Sequence, residues 1–495
     1  MSRIIIQNGN MCELDLPLKF AQKLYNEFAI RHPNAFYLRT RQRGMQNWDG
    51  KIHYITKTGQ FKIGLLPKVY DMCIEMGIKP KVVDMRQPLP KVSKVVTNIG
   101  KYKLRPEQEK AVKAVINNKI GNTPFHIGVL DYTVNAGKTL IMSSLYLSYK
   151  KQLKTLLITN DSDWLNQARE EFKQYLPGED ITFVQGKVLN WSNFTIGMVQ
   201  SISRNMRFYQ KELSQIDMVL IDEADQGGSK QYQNVITRLF NTRIRIGLSG
   251  TIYMSKLAKD RVKNMNLECF FGKVIAEFKL KDSIKKGYST KTVVKMVPGK
   301  PWYGNWESDC ISYKEIYYDS ITNCYTAWLM AYNRLLWNLN QGRYPALVVC
   351  KHIAHCENLY KFFKKKLGDA YNIAYVHVNT PSKLRQQIMK DFREGKIDIL
   401  VSTTIIARGK NFPKLRYLLN AASMDSQEKS IQFLGRLVRT DKSKKKVYLD
   451  DLHYPGPYLD RHGKHRKQYY QRQELKVILL DKLWKKHPNH SLIKS

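Results

Sequence analysis

Residues 131–140 read DYTVNAGKTL, and the fold turns on how this stretch is read. It ends like the phosphate-binding pattern G-x-x-x-x-G-K-[ST], with Gly137, Lys138 and Thr139, but Tyr132 stands where that pattern has its first glycine. The flanks decide for a nucleotide loop. An apolar strand-like run, FHIGVLDY, precedes it, and the helix-like KTLIMSSLYLSYKKQ follows. In that order, backbone N–H groups and a helix N-terminus face a phosphate. Asn135, Ala136, Gly137, Lys138 and Thr139 are therefore expected to hold the nucleotide, with Lys138 on the β- and γ-phosphates and the Thr139 hydroxyl on Mg²⁺. Lacking the early glycine, the loop is expected to turn at Asn135, which tolerates the left-handed region better than most residues.

Downstream, IDMVLIDEADQGG runs an apolar strand straight into Asp222, Glu223, Ala224 and Asp225. Acids at the C-terminal end of a strand lie at the ligand edge of an open α/β sheet. Asp222 is expected to hold the metal and Glu223 to orient the attacking water. The alternative for this stretch is an exposed acidic turn. GLSGT places Ser249 and Thr251 after another strand-like run, where small residues can lie beside the acids and couple to the γ-phosphate. In QFLGRLVRT, Gln432, Arg436 and Arg439 are spaced i, i+4 and i+7 on one helical face, as arginine fingers require. They lie in a second α/β series, which predicts nucleotide bound between two units.

That series completes the organisation. Residues 1–95 mix strand-like RIIIQ and KIHYITKTGQFKIGLL, the latter a hairpin turning near Gly59, with two helix-like segments; they predict a small α+β domain. Residues 96–280 and 281–455 each alternate near-continuous apolar runs with helical spacing, the pattern of parallel strands buried on both faces. Residues 456–495 read as a basic helical tail, either a nucleic-acid contact or a helix packing its tyrosine pair on the second unit.

Lys+Arg 82 against Asp+Glu 42 leaves a net charge of +40, a field that favours a polyanionic partner, nucleic acid above an anionic membrane. The 7 cysteines form no CxxC, so neither a zinc nor a disulfide framework is expected and a reducing compartment is. No apolar run reaches the ~18 residues of a membrane span, and the N-terminus has no signal-peptide run. A soluble, cytoplasmic protein is expected.

Together the motifs resemble those of superfamily 2 helicases and translocases, in family order over most of the chain. LRPEQ resembles the adenine-recognising motif, with Gln108 on the adenine edge. LLITNDSDWLNQARE and TIGMVQSI resemble strand-contacting motifs, the second contributing Gln200 and Ser201. ALVVCKHIAHCENL resembles the fourth motif, contributing Lys351 and His352, and VSTTIIARGKN the fifth, with Gly409 and Asn411 near nucleotide. The resemblance implies two tandem RecA-like parallel-sheet domains after the small N-terminal domain. DEAD-box RNA helicases carry S-A-T and H-R-x-G-R-x-G-R where this chain has Ser249-Gly250-Thr251 and the Gln432 form, so the DNA-directed branch is the nearer match and an RNA helicase the runner-up. FYLRTRQRGMQNWDGKIHYI and the loop TVNAGKT further resemble the UvsW-like branched-DNA helicases of T-even phages. That likeness implies ATP, Mg²⁺, forks, R-loops and Holliday junctions, a role in phage recombination and repair, movement 3′ to 5′, and the host bacterial cytoplasm. Residues 300–320 match nothing useful.

In the N-terminal domain, alternation of Arg39, Arg41 and Arg43 is expected to line one face of a strand that holds phosphates, with Lys51 beside it. Trp48 is expected either to stack on a base or to fill the small core. A nucleic-acid annealing protein with a dead ATPase is the remaining class, and intact Lys138, Asp222, Glu223, Arg436 and Arg439 argue against it.

Overall fold

The computed structural model describes residues 2–41, 45–149, 152–160, 162–186, 191–252, 260–299, 312–407, 412–441 and 443–480. The chain divides into two compact units, 1–278 and 279–495. Each is built on a RecA-like sheet of seven strands, all neighbours parallel.

In the first unit the strands run in the order Ile181–Val184, Phe194–Met198, Thr155–Thr159, Met218–Asp222, Ile244–Ser249, His126–Tyr132, Val274–Phe278. Every residue of His126–Tyr132, Thr155–Thr159, Met218–Asp222 and Ile244–Ser249 is buried, which is why these segments read as apolar runs without alternation. The strand ending at Ser249 stands between the strands that end at Tyr132 and Asp222. The GKT loop, the acids and the serine therefore reach one edge of one sheet.

The N-terminal segment forms the expected small α/β region, and it packs on the first RecA-like sheet. Its four-stranded sheet, ordered Gln60–Lys62, Met11–Asp15, Arg3–Ile6, Lys81–Asp84, contributes Ile4, Ile6, Cys12 and Phe61 to the same apolar core as Ile127, Val129, Ile158 and Phe271. Two glycines let the backbones meet. A Cβ on Gly64 would lie 2.1 Å from the Glu268 carbonyl oxygen, and one on Gly9 would lie 2.6 Å from that of Leu239. The buried Arg245 pins the joint by donating to the Gly9 carbonyl at 2.6 Å and to Asn10 Oδ1 at 2.8 Å. The Pro- and Lys-containing stretch 83–100 reads as a boundary in the sequence, yet the four-stranded sheet and the seven-stranded sheet share a core across it.

The expected hairpin at Gly59 is half right. Gly59 does turn with φ 80°, and the Gln60 carbonyl accepts the Thr56 N–H at 2.8 Å. Its arms then part: Lys51–His53 pairs with Ala29–Arg31, while Gln60–Lys62 pairs with Met11–Asp15.

In the second unit the order is Ile373–Val376, Ile399–Thr403, Ala346–Cys350, Tyr417–Asn420, Lys446–His453, Lys291–Pro298, Val477–Leu479. The tail does not hang free: as far as residue 480 it belongs to this unit. Val477–Leu479 adds the edge strand, and the helix Leu459–Arg472 buries Tyr469 and Tyr470. Within that helix the fully buried Arg466 grips the equally buried Asp451, Nε to Oδ1 at 2.9 Å. Asp451 Oδ2 also accepts from the Tyr470 hydroxyl at 2.7 Å and from Asn420 Nδ2 at 2.8 Å, so both carboxylate oxygens are hydrogen-bonded. Deleting one partner strands a buried charge. Arg466→Ala is expected to lower stability by about 3–5 kcal/mol, read as an earlier urea midpoint for the second unit. An unchanged midpoint would mean the helix contributes little.

Candidate active site

The loop leaves the strand at Tyr132, turns through Asn135 (φ 64°) and Gly137 (φ 70°), and enters the helix Lys138–Ser148 at Lys138. Left-handed residues of this kind recur in the backbone turns that form anion cradles. Tyr132 explains how the loop dispenses with its first glycine. Its ring is fully buried, and its hydroxyl donates to the Glu107 carbonyl at 2.8 Å, tying the strand's end to the helix Pro106–Ile116.

That helix supplies Gln108, whose amide is turned onto the loop. Oε1 accepts from the Arg105 N–H at 2.8 Å, and Nε2 donates to the Ala136 carbonyl at 2.8 Å. Arg105 donates to the Asn135 carbonyl at 3.0 Å. Gln108 is fully buried here, so in this arrangement it braces the loop instead of presenting an edge to a base. The reason is proximity: a Cβ on Gly137 would come within 2.3 Å of Gln108 Nε2, so only glycine leaves room for the brace.

Lys138 Nζ lies 3.4 Å from Asp222 Oδ1. Asp222 closes the strand Met218–Asp222, is buried, and its Oδ1 has no hydrogen-bond partner. A buried carboxylate oxygen facing a lysine suits a hard cation that takes oxygen ligands, so Asp222 fits Mg²⁺. Glu223 follows with φ 52° and ψ 49°. A left-handed glutamate is costly, about 1–3 kcal/mol, and such strain collects at functional sites. The turn aims the carboxylate out of the sheet's end, where Gln226 Nε2 donates to its Oε2 at 3.4 Å.

Two further motifs converge there. Ser249 Oγ donates to Asp225 Oδ1 at 2.8 Å and accepts the Thr251 N–H at 3.1 Å. Asn160 Nδ2 donates to Gln226 Oε1, and Gln200 Nε2 donates to the Asn160 carbonyl at 3.3 Å. A hydrogen-bonded line thus runs from Gln200 through Asn160 and Gln226 to Glu223. Gln226 was not singled out by sequence, and Asn160 entered only as part of the strand-contacting stretch LLITNDSDWLNQARE. Their signal was adjacency to the acidic motif and to the end of a strand, too common to select them.

Other expected residues fall elsewhere. Ser201 Oγ accepts the Gly186 N–H at 3.0 Å. In the second unit, Gln432 and Arg436 lie half-buried on the helix Gln427–Leu437, but that helix ends before Arg439, so the three do not share one helical face. Lys444 stops it, donating to the Leu437 and Leu415 carbonyls at 3.0 Å each, a cation at a helix C-terminus. Burial draws the Lys444 ammonium down to about 8. Lys351 turns inward, donating to the Tyr313 hydroxyl at 2.9 Å with its ammonium 4.0 Å from that ring's centre, and His352 sets its ring edge-on to Tyr317. Gly409, Asn411 and Arg43 lie outside the described residues.

Arg39 and Arg41 do not alternate along a strand. They belong to the helix Ala35–Arg41, because Ala35 and Leu38, three apart, form its inward side. Lys51 opens the strand Lys51–His53, exposed. Trp48 is half-buried, its indole N–H given to the Lys51 carbonyl at 2.9 Å and its ring edge-on to His32, so it serves the small fold.

Comparison with known proteins agrees with this geometry. Residues 101–254 match the family "Type III restriction enzyme, res subunit", and residues 329–441 match "Helicase conserved C-terminal domain". The chain thus carries two helicase-type domains, one in each unit. A protein described as a candidate helicase, helicase 22 of a Sulfolobus islandicus filamentous virus, is 23% identical over 71% of this chain and 64% of its own length. The RNA helicase RhlB of Shewanella woodyi is 32% identical over 22% of this chain and 24% of its own. The chain thus spans less than two thirds of either relative. Among solved structures, the DNA-bound restriction-modification enzyme LlaBIII has the same fold at a TM-score of 0.57 and 15% identity, covering 81% of this chain and 33% of that one. T4 UvsW covers 97% of this chain and 98% of its own at a TM-score of 0.44 and 18% identity. These helicase domains imply use of ATP. No helix among the described residues is long and apolar enough to cross a membrane.

Proposed function

We propose that this helicase is a Mg²⁺-dependent, DNA-stimulated ATPase that translocates on and remodels branched DNA, as in phage recombination and repair. The observation that carries the ATPase part is the convergence of Lys138, Asp222, Glu223 and the Ser249–Asp225 pair on one sheet edge. With nucleotide bound, Lys138 would leave Asp222 for the β- and γ-phosphates, and Asp222 and Thr139 would hold Mg²⁺, which would neutralise charge on the phosphate oxygens. Glu223, held by Gln226, orients a water in line with the γ-phosphorus; that water's oxygen bonds to phosphorus as the bond to the β-bridging oxygen breaks, and Glu223 takes its proton. Arg436 and Arg439 are assigned to the γ-phosphate charge. Gly409 and Asn411 keep their nucleotide roles by resemblance.

The DNA part is supported by the Ser249-Gly250-Thr251 and Gln432 motif forms and by a net charge of +40. The second reading, an RNA helicase, is favoured by the RhlB likeness. ATP hydrolysis measured with no nucleic acid, single strand, duplex, forked DNA and RNA, with Lys138→Ala as control, separates them. Strongest stimulation by forked DNA, lost in the variant, is expected. Stimulation by RNA alone would replace the proposal with the second reading.

A further inference from the structure

Between the strand Ala29–Arg31 and its antiparallel partner Lys51–His53 the chain makes an excursion, closed at its base where His32 N–H donates to the Gly50 carbonyl at 2.8 Å. Its described helix, Ala35–Arg41, is seated by Ala35 against Gly50, whose φ of 78° turns the backbone beneath it; a Cβ on Gly50 would stand 3.1 Å from that of Ala35. The opposite side of this helix is unusual. Phe36 is 79% exposed, more than any other large apolar side chain among the described residues, and Tyr37 is 56% exposed. Burying a ring of this size is worth about 1.5–3 kcal/mol, and the small domain forgoes it twice in succession.

Among the described residues, exposed cations share this helix with the two rings. Arg39 and Arg41 are exposed on the same helix, and the Arg41 guanidinium sits 5.2 Å from the centre of the Tyr37 ring. Lys51 is exposed at the foot of the excursion. Asp49 is the sole acid in residues 29–53, and it is engaged by His53 at 2.7 Å and by the Lys51 N–H at 2.9 Å. Bare rings with excess positive charge suit a ligand that offers flat π-faces together with phosphates. A continuous duplex hides its base faces, whereas a single strand or the open step at a junction presents them.

We infer that Phe36 and Tyr37 form a base-stacking element for the unpaired step at a nucleic-acid junction, with Arg39 and Arg41 on the flanking phosphates. This rests on the nucleic-acid-directed reading above and adds the residues that grip the branch. Phe28 and Ile55, which flank the two-stranded ladder that carries this excursion, belong to the core shared with the motor sheet, which ties the excursion to the same unit as the phosphate loop.

The test uses the full chain and forked DNA carrying 2-aminopurine at the first unpaired position. The parent is expected to quench the probe on binding. Phe36→Ala/Tyr37→Ala should lose the quench and bind the fork about ten-fold or more weakly. Its ATPase without nucleic acid and its thermal unfolding should be unchanged, since neither ring touches the ATP site or the core. Phe36→Trp/Tyr37→Trp should restore the quench. A variant that binds and quenches like the parent overturns the inference. So does a variant whose only change is dissociation of a dimer in sedimentation, which would make this face a contact between copies. A parent that neither binds the fork nor is stimulated by any nucleic acid would instead bring down the proposed function.

Discussion

Glu223→Gln is expected to lower nucleic-acid-stimulated ATP turnover by about 10²- to 10⁴-fold, the contribution of a positioned general base. Nucleotide binding should survive, because the phosphate cradle belongs to other residues. The substitution keeps size and backbone, so the left-handed turn at φ 52° need not relax and Gln226 keeps a partner. Only the ability to take a proton from water goes. Lys138→Ala should behave differently, since the lysine both neutralises Asp222 at 3.4 Å and reaches the phosphates: binding and turnover fall together. Equilibrium binding of a fluorescent ATP analogue alongside steady-state hydrolysis distinguishes the two patterns. A Glu223→Gln protein that hydrolyses ATP at the parental rate would remove Glu223 from the mechanism.

Affinity for nucleic acid should fall by about 10³-fold or more between about 50 and about 200 mM salt, as for any protein that neutralises roughly six phosphates. The net charge of +40 supplies the cations, and a log–log plot of affinity against salt from fluorescence anisotropy gives the number of contacts as its slope. Arg39→Ala/Arg41→Ala should flatten that slope by about two contacts, lowering affinity for all sequences alike. A flat salt response in the parent would count against a groove that tracks the phosphate backbone.

Much of the motor could be read from the chain because its chemistry is local. A phosphate loop needs its lysine, hydroxyl and turn within five residues, and a parallel strand buried on both faces announces itself as an unbroken apolar run. The seven-stranded sheets and the placement of Lys138, Asp222, Glu223 and Ser249 at one edge follow from such local signals. Tyr132 shows where this stops: its misfit to the glycine pattern is resolved by a carbonyl 25 residues away, at Glu107.

What only the tertiary structure decided depends on contacts distant in sequence. The shared core under the N-terminal sheet joins Ile4 to Ile127, and the tail becomes part of the second unit because Arg466 finds Asp451. The helix through Arg39 and Arg41 replaces a strand because Ala35 meets Gly50, a contact that alternation of charges cannot reveal. Gln108 turns to the loop and Lys351 to Tyr313 for the same reason. By itself, then, the sequence determined which segments carry the chemistry and the order of the strand–loop–helix units, because backbone periodicity and loop geometry are encoded over a few residues. The orientation of each side chain, and the joining of the small sheet to the large one, were decided by packing, since burial and hydrogen bonding are settled among neighbours that only the folded chain brings together.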